Sequence, residues 1–149
     1  ADIYLDDFKY MDPLKAKKYS GAEDYPERAK ESLAEMVRQC PEPIFDARGM
    51  MQKGVIVRHL LMPSMVHNAE HVVDYVYDTY GDRVYLSLMH QFTPFPRLAK
   101  WPEINRRVTK REYERLLNYA LDKGVTNAFI QEGDVAKESF VPDWNGEGV

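Results

Sequence analysis

The stretch GVIVRHLLMP, Gly54 to Pro63, decides how this chain folds. Val55, Ile56, Val57, Leu60 and Leu61 supply the branched and aliphatic bulk of a strand covered on both faces, as in a parallel sheet flanked by helices. Arg58 and His59 interrupt that run shortly before the turn-forming Pro63. A guanidinium is costly to bury unpaired, so the two polar residues mark a strand exit that faces a polar ligand, unless Arg58 simply finds a neighbouring carboxylate.

Upstream, Ile44 to Lys53 holds Asp46-Ala47-Arg48-Gly49, a turn between extended pieces. Before it, Tyr25-Pro26 opens a helix with Ala29, Leu33, Met36, Val37 and Cys40 on one face, stopped by Pro41 and Pro43. Cys40 therefore reads as core. Asp12-Pro13 caps a short helix to about Tyr19, and Ile3 to Phe8 is a short strand whose end is polar, with Asp6, Asp7 and Lys9. Downstream, Asn68 is placed to cap a helix with Val72, Val73, Val76, Tyr77 and Tyr80 inward and Gly81 at its end. Arg83 to Met89 is the next strand, running out at His90 and Gln91 into a proline-rich loop. Thr109 and Glu112 form a capping box ahead of Tyr113, Leu116, Leu117, Ala120 and Leu121, and Gly124 closes that helix. Asn127 to Gln131 is the last strand, ending at Glu132.

Strands and helices alternate, and the connections are long enough for parallel pairing with right-handed crossovers. The expectation is an α/β domain over residues 1–132, about four parallel strands with covering helices, followed by an aperiodic surface tail over 133–149. The 20 Lys and Arg residues are scattered among 24 acids for a net charge of −4, which argues against nucleic acid as a partner. No apolar run approaches the roughly 20 residues of a bilayer helix. A single cysteine rules out an intrachain disulfide and a cysteine-ligated metal cluster built from this chain alone, and a cytoplasmic location is expected. The chain opens without Met and enters a strand almost at once, as a piece of a longer protein would.

The strand exits at Asp7/Lys9, Arg58/His59, His90/Gln91 and Gln131/Glu132 are far apart in sequence. In a parallel α/β sheet they converge on one rim, the usual ligand site. Their mixture of cations and acids suits a zwitterionic or carboxylate-bearing ligand. Neither GxGxxG nor GxxxxGK[ST] occurs. His67-Asn-Ala-Glu-His71 matches a short zinc-peptidase pattern, but His67 falls near the helix start and no third ligand follows, so a solvated first helical turn is the preferred reading.

The stretches DIYLDDFKY, GVIVRHLLMP, RVYLSLMHQFTPFP and INRRVTKREYERLLNYALDKGV together resemble the later half of the radical S-adenosylmethionine (SAM) proteins related to pyruvate formate-lyase activating enzyme. The resemblance implies a partial (β/α) TIM-like barrel whose rim holds SAM and a 4Fe-4S cluster. Reductive cleavage there yields a 5′-deoxyadenosyl radical that abstracts hydrogen, in the activating enzymes from a glycine of a partner protein. Asp7 and Lys9 look like the acid and lysine after the fourth barrel strand, Arg58 like the arginine of the fifth, and His90 like the histidine ending the sixth. All four are expected to line the SAM and partner-peptide site.

The CxxxCxxC loop of that family is missing, so this chain alone is expected to hold no cluster and to be inactive. A glycyl-radical enzyme and a flavodoxin-type reductant are the partners implied for a parent protein. The competing readings are a radical SAM oxidoreductase acting on a small molecule and a non-catalytic α/β binding module. A half barrel also leaves edges open, so self-association is expected.

Overall fold

The computed structural model describes residues 2–131 and 138–140. The chain runs β1 (Asp2–Asp7), α1 (Pro13–Ser20), α2 (Tyr25–Gln39), β2 (Ile44–Phe45), β3 (Met51–Leu60), α3 (Val66–Tyr80), β4 (Val84–Met89), α4 (Lys110–Lys123), β5 (Ala128–Gln131) and β6 (Glu138–Phe140), with single 3-10 turns at Gly81–Arg83 and Pro96–Lys100. The sheet order is β1-β3-β4-β5-β6. The first four of these strands are parallel, and β6 closes the sheet antiparallel to β5. The short β2 pairs antiparallel with the start of β3.

Alternation along the strands sorts the side chains. Val55 and Val57 of β3, Leu86 and Leu88 of β4 and Ala128 of β5 point one way, into a buried core shared with Leu33 and Val37 of α2, Val72, Val73 and Val76 of α3, and Leu116 and Ala120 of α4. Because strand order follows chain order, each crossover steps in the same direction and lays its helix on the same face. The other face carries Ile3, Leu5, Ile56 and Arg58, of which Ile3 and Leu5 are 41% and 50% exposed. A second cluster of Tyr10, Ala16, Met65, Phe92, Leu98 and Ile104, with Leu60 and Met62 packed against it, sits where the chain leaves the carboxyl ends of the strands.

Local chemistry explains the helix ends. The Asp12 side chain accepts from Leu14 N ahead of Pro13, and Gly21 leaves α1 in the left-handed region at φ 65°. Thr109 and Glu112 make the reciprocal capping box of α4.

Two expectations need correction. Asn68 is not a cap: α3 begins at Val66, and Asn68 lies buried within its first turns, hydrogen-bonded to the loop after β1. Past the described end of β5, Glu138–Phe140 pair antiparallel with it along its outer edge and satisfy backbone groups there. His59 does not share the outlook of Arg58. Successive residues of a strand face opposite ways, and His59 is turned into the helix-covered core at 1% exposure.

Candidate functional site

Parallel pairing of β1, β3 and β4 brings their carboxyl ends to one rim, and the register sets Asp7 beside Arg58 and Leu60 beside Met89. Asp7 and Arg58 therefore meet. Arg58 Nε donates to Asp7 Oδ1 at 2.7 Å and Arg58 Nη2 to Oδ2 at 3.1 Å, a two-pronged pair that leaves both side chains near half exposure. The carboxylate that Arg58 meets is that of Asp7, the acid expected to share its site.

Lys9 follows two residues beyond Asp7 in a loop fixed by its backbone. The Tyr25 hydroxyl donates to Asp7 O at 2.8 Å and accepts from Lys9 N at 3.0 Å. Asn68 Nδ2 donates to Lys9 O at 2.8 Å, while Asn68 Oδ1 accepts from Met11 N and Asp12 N at 2.8 and 3.2 Å. One amide thus fills three backbone valences and holds the loop over the start of α3. His90, just past β4, takes another course: its ring lies 4.2 Å, centroid to centroid, from Tyr113 of α4, whose hydroxyl donates to Leu88 O at 2.6 Å. Gln131 ends β5, and Glu132 lies outside the described residues.

Beneath the rim, on the helix side, lie two titratable groups that sequence patterns did not single out as a pair. Asp6 is 7% exposed and its Oδ2 has no hydrogen-bond partner; burial, and then the charge of Asp7, push its carboxyl up to about 6. His59 Nδ1 donates a hydrogen bond to Phe8 O at 2.7 Å, and its Nε2 is unpartnered. Burial lowers its pKa to about 4, against the opposing pull of the Phe8 carbonyl, so the ring is neutral at pH 7. The signal in the sequence was a polar residue at an inward position of each strand, legible only once the face is known.

A cavity of about 580 Å3 opens at the same rim. Lys9 and Tyr10 after β1, Leu60 and Met62 at the end of β3, and Phe92 and Trp101 after β4 line it, so three strand exits contribute to one hollow. The proline-rich loop supplies much of that wall.

A likeness is found at this point to an uncharacterized protein of Methanocaldococcus jannaschii. The match is 28% identical over 120 residues, covering 80% of this chain and 31% of that protein, so the chain spans about a third of its relative's length. No protein-family model matches, and no solved structure does.

The His67–His71 motif lies at the start of α3. His67 is largely exposed, and the buried Glu70 is engaged by His67 Nδ1 at 3.3 Å and by Arg115 Nε at 3.4 Å. Among the described residues no group of three His, Cys, Asp or Glu side chains is placed to hold a metal ion.

Proposed function

We propose that this chain is the later half of a radical SAM barrel, and that its rim contributes Asp7, Lys9 and Arg58 to a site for SAM or a partner peptide. The observation that carries the reading is the direct meeting of Asp7 and Arg58 at the carboxyl rim of parallel strands laid down in chain order, with Lys9 lining the adjoining cavity. Crossovers that all step in one direction support the barrel reading, in which the helix-free side of the sheet would become the interior.

The residues fit the two implied groups differently. For SAM the chemistry is suitable: Lys9 and Arg58 can bind carboxylate oxygens, and Asp7 can receive an ammonium or a ribose hydroxyl. For a 4Fe-4S cluster the chain does not fit, because Cys40 is its single cysteine and sits buried at the end of α2. In this reading the cluster ligands belong to another segment, and Asp7 and Arg58 act only in binding and orientation. Glycyl-radical activation is the activity proposed for a parent protein.

Titration calorimetry of SAM against the chain tests the proposal. Binding is expected, and Asp7→Asn or Arg58→Met should weaken it by about tenfold, the scale of one lost charge-assisted bond. Wild-type affinity in both variants, or no binding by the parent polypeptide, would overturn it.

A further inference from the structure

We propose that the rim cavity is a binding site for a phosphorylated ligand with a planar ring, of the nucleotide class. This goes beyond the SAM reading and does not depend on it. The chain carries net negative charge, yet among the described residues the cavity wall gathers Lys9, Lys17, Lys18, Arg97 and Lys100 and no Asp or Glu. Lys18 is neutralised: its Nζ lies 2.9 Å from Glu103 Oε2, which also accepts the Tyr19 hydroxyl at 2.6 Å. Glu103 is held at about 2 by the Tyr19 hydroxyl and Lys18, so it remains charged and committed. Among the described residues, Lys9, Lys17, Arg97 and Lys100 make no ion pair within 4 Å.

Four uncompensated cations around one hollow repel one another, and an anion of multiple charge relieves that cost. Compact ammonium charges suit a phosphate, which carries −1.5 to −2 near pH 7, better than a single carboxylate. The rest of the wall is aromatic and aliphatic. Trp101 meets the Tyr19 ring edge-on at 5.5 Å, and Lys100 Nζ stands 4.5 Å from the Trp101 centroid. A planar ring can stack on this indole while Lys100 swings to the phosphate. The volume of about 580 Å3 falls within the range of small-molecule sites.

Calorimetry with ADP, adenosine, inorganic phosphate and a hexaglutamate peptide on the full chain tests it. ADP should bind, adenosine and phosphate should each bind at least about tenfold more weakly, and ADP affinity should fall as salt rises. Lys17→Glu and Lys100→Glu, at exposed positions that spare the fold, should each lower ADP affinity by about tenfold. Trp101→Ala should weaken ADP but not phosphate. Adenosine binding as tightly as ADP, tighter binding of hexaglutamate than of ADP, or indifference of ADP to both charge reversals would overturn the assignment. A failure of SAM to bind leaves these results unaffected.

Discussion

Replacing Asp6 by asparagine should make the protein more stable at neutral pH and progressively less so toward acid. The carboxyl has a folded-state pKa of about 6 against an ordinary 3.8. Below 3.8 both states are protonated and the shift costs nothing. As pH rises from there, the unfolded chain gives up its proton while the folded one keeps it, so stability falls until pH passes 6. At 1.36 kcal/mol for each pKa unit the full penalty is about 3 kcal/mol, of which roughly half is already present at pH 5. Asp6→Asn removes it. Any fixed cost of an amide at the Oδ2 position is the same at every pH, so the readout is the change in the difference between variant and wild type. Urea denaturation at pH 5, 6, 7 and 8 should show the variant's relative stability rising by roughly 1.5 kcal/mol across the series and levelling above pH 7. A difference that stays constant over that range would refute the reasoning.

His59 acts with the opposite sign. Its folded pKa, about 4, lies below the ordinary 6.5, so the stability it confers is present above 6.5 and lost as pH falls through 4; NMR titration should find its ring neutral down to that region. In wild type the two groups offset each other between about pH 4 and 6, and Asp6→Asn should expose a steeper loss of stability toward acid. Asn68→Ala strips partners from Lys9 O, Met11 N and Asp12 N together and should cost about 3 kcal/mol in thermal or urea denaturation, near 1 kcal/mol for each bond lost. A double-mutant cycle on Asp7 and Arg58 should return a coupling below about 1 kcal/mol, because both side chains are well exposed, so effects of these variants on ligand affinity can be measured in folded protein. Thr109→Ala should lower stability by about 1 kcal/mol through loss of the cap on Glu112 N.

Local rules made the elements legible. Pro13 after Asp12, the Thr109 and Glu112 box, the left-handed glycine at 124, and the valine-rich run of β3 each act within a few residues, and each is found where those rules put it. The α/β class with parallel strands follows from the alternation of such elements and is observed. Asn68 shows where local reading fails. Its type and position suit a cap, but a buried amide goes where unpaired backbone groups await it, and those belong to residues more than 50 positions earlier.

By itself, then, the sequence determined the four helices and the four parallel strands and that Asp7, Lys9, Arg58 and His90 stand at strand exits, because those properties depend on near neighbours and on strand periodicity. Only the tertiary structure decided that Arg58 closes on Asp7 while His59 turns inward, that His90 packs on Tyr113, and that lysines of α1 and of the 92–104 loop face one aromatic hollow. The physical reason is register. Which residue lies across from which depends on how whole strands slide and how helices dock, and a single step of slippage would exchange the two faces of β3 and every contact made there.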